Sequence, residues 1–288
     1  MAESVTGRPT VSAIGLGLMG RPMVRNLVTA GFVVHGWNRS PLAPALTEGI
    51  PLCESLEEAA RSVICLLMLA DSAAVGDVLG ALEPHLTPGQ LVLDMGSSSP
   101  VDTRERARRL AERGIGWVDA PVSGGVEGAA AATLAIMAGG TDEDVERARP
   151  VLGAVGSNVV HVGGPGAGHT AKVANQVIVG LALEAVAEAL ALVERAGLDP
   201  RLVQQALRGG WADSRILQGQ GTRMIERDFV PGGKVKTMAK DMRMALELAG
   251  ELHLDLPHVG SALALFEELE ARGAGELDCA AIYRMRMP

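Results

Sequence analysis

The sequence predicts an α/β chain in two parts: a doubly wound, mostly parallel sheet and then an all-α domain, joined by one long helix. Three observations carry the prediction. Up to about residue 163, short β-branched runs alternate with segments of helical spacing, the pattern of strands linked by helical crossovers. A glycine-rich turn, Gly15-Leu16-Gly17-Leu18-Met19-Gly20, breaks the first run and opens the first helix. Beyond Gly163-Gly164-Pro165-Gly166 the strand pattern stops, and one long Ala/Val/Leu-rich helix leads into shorter ones.

The expected strands are Val11–Gly15, Val33–Trp37, Val63–Leu67, Leu91–Asp94, Gly116–Asp119, Thr133–Ala138 and Asn158–Val162. Pro22–Ala30, Ser72–Leu79 and Asp102–Arg113 have helical spacing with polar faces and serve as crossovers. Ligands of such a sheet gather at the carboxyl ends of its strands. That edge holds Gly15–Gly20, Leu69-Ala70-Asp71, Ser97-Ser98-Ser99 and Ser123-Gly124-Gly125, because each segment directly follows a strand. The long helix runs from Gly168 to about Ala196 with Gly180 inside it; Gly197 ends it and Asp199-Pro200 starts the next. Further helices are expected near 200–208, 213–227, 235–252, 257–272 and 278–285. The domains then span residues 1–164 and 165–288, with the connector at about 168–196. A helix apolar on nearly every face must be covered, so this one is expected to pack between domains or subunits.

A chain of 288 residues suffices for two domains and a sizeable core. Only three Trp, one Tyr and three Phe occur, so that core is built from Ala, Val, Leu and Met. The net charge of −8 offers no attraction for nucleic acid or an anionic membrane, and an anionic ligand must be held by local donors. Cys53, Cys65 and Cys279 are scattered, without metal-ligand spacing, and read as buried thiols of a reducing compartment; no metal site is expected. Met1 to Pro9 is polar and lacks an apolar signal core. The most hydrophobic stretch, Val173–Leu183, is short for a bilayer and is followed by Glu184 and Glu188, so a cytoplasmic protein without a membrane partner is expected.

Gly15, Gly17 and Gly20, with Leu18 and Met19 between them, permit a tight turn and close approach of backbone to a pyrophosphate. A G-x-G-x-x-G alone is a weak signal; here the strand before it and the helix after it add weight. The tail of the second strand, where a dinucleotide fold normally keeps an acid for the ribose 2′-hydroxyl, holds Asn38, Arg39 and Ser40. A neutral amide and a cation suit a 2′-phosphate, and so NADP(H) rather than NAD(H). A solvated turn arginine is the alternative for Arg39.

Lys172, Asn175 and Gln176 form an i, i+3, i+4 set on one face of the long helix, polar groups in an apolar stretch. A lysine there can take a proton from an alcohol or return one to a carbonyl. Spacing alone fits a lysine that snorkels to water just as well. Asp119-Ala120-Pro121-Val122-Ser123-Gly124-Gly125 runs from a strand end into a hydroxyl and two glycines, either a cradle for a carboxylate or a plain turn. Lys240-Asp241 reads by itself as a surface charge pair. His169, one turn before Lys172, reads as a polar residue at a helix start or a second proton donor. Trp211, Asp213 and Ser214 fit a pocket cover or a helix cap.

Jointly, Ile14–Gly20, Asp119–Gly125, Gly166–Lys172 with Asn175-Gln176, and Lys240-Asp241 carry a resemblance that no single motif does. The chain resembles the β-hydroxyacid dehydrogenase family in motif order and spacing over essentially its whole length. The resemblance implies a Rossmann domain and an all-helical domain, assembled into homodimers or homotetramers through the helical halves. It implies Lys172 as acid/base, Ser123, Gly124 and Gly125 on the substrate carboxylate, and Asn175, beside Gln176, orienting the substrate. Ser97 would contact the nicotinamide side, Leu69 and Ala70 would line the cofactor strip, and Lys240 would close over the cofactor. Trp37–Ser40 is similar to the NADPH-using reductase branch. Gly209–Ser214, Arg223-Met224 and Asp228–Gly232 are similar to the tartronate semialdehyde reductase side.

The activity so implied is reduction of a small carboxylate-bearing semialdehyde. Oxidation of 3-hydroxyisobutyrate and reduction of glyoxylate or succinic semialdehyde are the alternatives. Imine reductases share the resemblance but usually carry an acid or tyrosine where this chain has Lys172. A cofactor-binding scaffold without chemistry is disfavoured by Lys172, Asn175 and Ser123 occurring together. The chain departs from the family at Gly96, where Ser is usual, at Ala132, where Gly usually precedes Thr133, and at Cys279, which replaces a frequent His or Phe.

Overall fold

The computed structural model describes residues 7–287; the first six residues of the polar N-terminal stretch, and Pro288, lie outside the described residues. Strands β1 (Val11–Ile14), β3 (Ile64–Leu67) and β4 (Leu91–Asp94) are buried along their whole length. Such continuous apolar runs belong to a sheet covered on both faces. With β2 (Val34–Trp37), β5 (Gly116–Asp119), β6 (Val122–Ser123), β7 (Leu134–Gly139) and β8 (Gly156–Gly163) they make one eight-stranded sheet. Its order is β2-β1-β3-β4-β5-β7-β6, with β8 paired to β7. The first five strands are parallel; β7 runs antiparallel to β5 and β6 and parallel to β8.

Register decides what this sheet can present. Trp37, Ile14, Leu67, Asp94 and Asp119 pair across four ladders in a single row, the last residue of each strand. Every segment that follows these strands therefore leaves the sheet at one edge. Along the strands the side chains alternate between faces. Ile64, Leu66, Leu91 and Leu93 join one core, with Met23, Leu27, Val151 and Leu152. Cys65, Leu67, Val92 and Trp117 join the other, with Val75, Leu79, Leu82 and Leu110.

The helices over the sheet are α1 (Gly20–Thr29), α2 (Leu56–Ala59), α3 (Ser72–Leu82), α4 (Pro100–Ala111), α5 (Gly125–Ala130) and α6 (Asp142–Val155). Asp71, Ser99 and Thr141 cap α3, α4 and α6 by accepting from Ala74, Asp102 and Asp144 N–H groups. Helix α7 (Ala167–Arg195) is continuous for 29 residues. Contacts divide the chain into two compact units between Lys172 and Val173, so the first turns of α7 belong with the sheet.

The second unit is helical: the rest of α7, then α8 (Pro200–Leu207), α9 (Gly221–Glu226), α10 (Val235–Glu251) and α11 (Pro257–Leu269). Its core gathers Leu183, Ala187, Met242, Ala245, Phe266 and Tyr283. Gly180 does not interrupt α7; a Cβ there would lie 2.8 Å from the Met242 Cε, so the glycine lets α10 approach. Several expectations need correction, the first being that Val122–Ser123 forms strand β6 where only a cradle or a plain turn was expected. The segment expected to be a helix over 213–227 begins with a π-helical turn, Ile216–Gln220, and the last segment, Cys279–Met285, is 3₁₀ rather than α-helical. The long helix also differs from expectation. It is long and apolar enough to cross a membrane by length and composition, because its apolar character continues past Glu184, and only 28% of its most apolar stretch is buried in this chain.

Candidate active site

The glycine turn is shaped by close packing. Gly15 has φ +103°, and a Cβ there would collide with the Met68 carbonyl oxygen; a Cβ on Gly20 would strike the Gly15 carbonyl. Gly17 is different: a Cβ there would meet nothing among the described residues within 4 Å. Its missing side chain leaves room for a ligand rather than for the protein. Helix α1 starts immediately after, and its N-cap, Met19, makes no side-chain capping bond. Open backbone beside an uncapped helix N-terminus fits a pyrophosphate, so the residues present suit a dinucleotide.

Asn38 ties this turn to β2. Its Oδ1 accepts the Leu16 N–H at 3.0 Å, and its Nδ2 donates to the Ser40 carbonyl at 2.7 Å. The carboxamide thus organises the loop through backbone contacts, while Arg39 and Ser40 stand exposed beyond it. Leu18 is 46% exposed and Met19 half-buried. Leu69, Ala70 and Ser97 follow β3 and β4 at the same edge. A Cβ on Gly96 would press on the Leu69 carbonyl oxygen at 2.8 Å, so the glycine lets the two loops approach closely. Ser123 is half-buried at the end of β6, and Gly124 and Gly125 turn the chain with φ +135° and +63°.

Two carboxylates close the row, Asp94 and Asp119, both fully buried. Asp119 accepts the Gly166 N–H at 2.8 Å and the His169 N–H at 2.9 Å, so α7 begins on the C-terminal end of β5. Burial pushes the Asp119 carboxyl above its ordinary range, and the neighbouring His169 pulls it back. Lys172 lies one turn beyond His169 and is 8% exposed. Its side chain is therefore not the solvated, snorkelling lysine that spacing alone left open.

In the helical unit a second polar chain links α7 to α10. Asn175 Nδ2 donates to Gln176 Oε1 at 2.7 Å, and Gln176 Nε2 donates to Asp241 Oδ2 at 2.6 Å. The other oxygen of Asp241 lies 3.0 Å from Lys240 Nζ. Asp241 is 1% exposed, so Lys240-Asp241 is not the surface charge pair that it reads as in isolation. Sequence reasoning missed Asp241 as the hub of this network, as it missed Asp94 and Asp119. Two apolar strands that each end in Asp, Leu91–Asp94 and Gly116–Asp119, were the available signal for the latter pair. Trp211 is fully exposed on its loop, and Asp213 accepts the Gly209 N–H at 2.9 Å, while Ser214 accepts from Leu217 N–H at 3.0 Å. The cysteines supply no thiolate: burial pushes Cys53 and Cys65 up to about 11 and Cys279 up to about 12.

Comparison with known proteins agrees with this layout. Residues 10–163 match the family described as the NAD binding domain of 6-phosphogluconate dehydrogenase. Residues 166–286 match the one described as NAD-binding of NADP-dependent 3-hydroxyisobutyrate dehydrogenase. The chain is 43% identical over 278 residues to the 2-hydroxy-3-oxopropionate reductase of Escherichia coli (strain K12), covering 93% of this chain and 94% of that one. It is 34% identical to the 2-(hydroxymethyl)glutarate dehydrogenase of Eubacterium barkeri, over 96% and 94% of the two chains. A solved structure of Mycobacterium tuberculosis 3-hydroxyisobutyrate dehydrogenase with L-serine superposes with a TM-score of 0.88 at 32% identity, covering 98% and 100%. Sheet, glycine turn and helical second part define a dinucleotide-binding oxidoreductase of the Rossmann type. Within that class, the chain belongs to the β-hydroxyacid dehydrogenase family, whose members act on CH–OH groups.

Proposed function

We infer that the protein is an NADP(H)-dependent reductase of a small carboxylate-bearing semialdehyde, with tartronate semialdehyde (2-hydroxy-3-oxopropionate) as first candidate. The observation that carries the reading is the attachment of α7 to Asp119, which brings the Lys172 turn to the strand edge where Gly15–Gly20 and Ser123–Gly125 emerge. The 43% identical relative supports the substrate class.

A bound reduced dinucleotide would supply a hydride to the aldehyde carbon. Lys172 gives its proton to the carbonyl oxygen, which becomes the hydroxyl of the product. The Ser123 hydroxyl and the Gly124 and Gly125 N–H groups hold the substrate carboxylate. Asn175, bonded to Gln176, would align the substrate, and Lys240, paired with Asp241, would close over the cofactor. Gly15, Gly17, Leu18, Met19 and Gly20 take the pyrophosphate; Leu69, Ala70 and Ser97 flank the rest of the cofactor. Arg39 and Ser40 meet the 2′-phosphate on a loop that Asn38 shapes. The exposed apolar side chains of α7 fit assembly as a homodimer or homotetramer, and protonated buried thiols fit a reducing cytoplasm.

A spectrophotometric panel tests the reading: NADPH against NADH with tartronate, succinic and methylmalonate semialdehydes, glyoxylate and one cyclic imine. NADPH oxidation with tartronate semialdehyde is expected; turnover of the imine alone would overturn the reading. Lys172→Ala should lower turnover by about 10²–10⁴-fold, the weight of a positioned acid/base, and spare NADPH binding. Unchanged turnover in that variant would remove Lys172 from the chemistry. Oxidation of a hydroxy acid is the second reading, favoured by the structural neighbour whose solved form contains L-serine.

A further inference from the structure

Beneath the start of α7 lies a polar cluster that the proposed chemistry does not use. Asp94, Asp119, Thr103 and His169 are 0% exposed and Ser98 is 1% exposed. His169 Nδ1 is 2.8 Å from Thr103 Oγ1 of α4. Its Nε2 has no hydrogen-bond partner among the described residues and lies 3.8 Å from Asp94 Oδ2. The Asp94 carboxylate accepts from the Ser98 hydroxyl at 2.9 Å and the Gly96 N–H at 3.0 Å. Asp119 Oδ2, besides its bond to the His169 N–H, lies 3.9 Å from His169 Nδ1.

Two carboxylates and an imidazole buried together carry a desolvation cost that an apolar filling of the same volume would avoid. What the cluster achieves is attachment. The first N–H groups of a helix have no partners within it, and Asp119 takes one at Gly166 and one at His169. Glycines bring the backbones together at the same place. A Cβ on Gly168 would collide with the Asp119 and Met137 carbonyl oxygens; one on Gly139 would lie 2.6 Å from the Gly168 nitrogen. The His169 side chain then bonds α4 and lies beside the end of β4, so β5 and α4 grip the turn before Lys172.

We propose that Asp119 and His169 are positioning residues for Lys172, clamping the first turn of α7 to the end of β5 and to α4. His169 is therefore not a second proton donor to substrate: it is sealed from solvent and acts through the helix it fastens. The proposal rests on the reading of Lys172 as acid/base, and its test separates the two. Asp119→Asn keeps volume but turns an amide N–H toward one of two backbone N–H groups; His169→Gln keeps a polar reach toward Thr103 with a weaker grip.

Two measurements apply, amide hydrogen exchange across residues 166–172 and a double-mutant cycle with Lys172→Ala. Exchange in this stretch should rise about tenfold in Asp119→Asn, with strands β1 and β3 unchanged. Turnover should fall about 10–100-fold with the substrate KM and NADPH affinity within about threefold, a loss expressed in kcat rather than binding. In the Lys172→Ala background the same substitution should cost nothing further, since it acts through a group already removed. Losses that multiply in the cycle, or unchanged exchange at the clamp, overturn the proposal. Full turnover in Lys172→Ala alone would instead sink the functional reading, while exchange still judges the clamp. Should Asp119→Asn fail to fold, His169→Gln carries both measurements, with a turnover loss of about 3–10-fold expected.

Discussion

At the scale of single residues, the chain shows where a side chain is tolerated and where it is needed. Ala132 occupies φ +55°, the left-handed region that Cβ disfavours. Ala132→Gly should therefore raise stability by about 0.5–1 kcal/mol, a gain readable as a higher denaturant midpoint with unchanged slope. No gain would mean that the strain is absorbed elsewhere in the turn. Arg39 is a different kind of position, exposed and beyond the last hydrogen-bonded residue of β2. A charge-assisted bond to phosphate contributes about 1.5–3 kcal/mol, so Arg39→Asp should swing the NADPH-to-NADH ratio of kcat/KM toward NADH by at least about tenfold. An unmoved ratio would assign the preference to another residue. Neither position requires its neighbours to shift, which makes both readable without repacking.

Between elements, the decisive contacts are backbone against backbone. Gly168→Ala would force α7 away from the Asp119 and Met137 carbonyl oxygens, an overpacking that costs about 1–3 kcal/mol. Chemical denaturation would show it as a lower midpoint; a midpoint equal to the parent's would mean that the helix start can shift freely. This contact also marks how far the sequence could be read. Apart from β6, the strands were legible, because Val11–Ile14 or Leu91–Asp94 needs only β-branched or apolar runs ending in a break. Lys172, Asn175 and Gln176 were legible because helical spacing puts them on one face. Pairings between residues far apart in the chain were not. Nothing local reveals that Gln176 serves Asp241, 65 positions on, or that Asn38 is occupied with Leu16. The π-helical turn at Ile216–Gln220 was equally hidden, since its sequence has ordinary helical character.

At the scale of the whole molecule, the apolar exterior of α7 is the surface on which the proposed assembly rests. Ile178 is 69% and Leu192 72% exposed, on a helix whose composition is that of an interior. A homo-oligomer built on this face should dissociate when charges are placed there. Light scattering should find the parent protein as a dimer or tetramer, and Ile178→Glu with Leu192→Glu at lower mass. A monomeric parent would refute the assembly. The membrane alternative has a separate signature, retention of the parent by vesicles in flotation.

The single row formed by Trp37, Ile14, Leu67, Asp94 and Asp119 has a consequence for re-engineering the protein. The last bonds between the parallel strands run from the N–H groups of Gly15, Met68, Met95 and Ala120, one residue past the row, to carbonyls within it; the proposed ligand-facing loops lie beyond. Loop grafts between relatives can therefore be spliced one residue past that row, with the sheet acting as a chassis that need not be redesigned. The exception is the graft after Asp119. It would carry the fastening of α7 with it, so new substrate loops should be installed with that aspartate and its two backbone partners left in place.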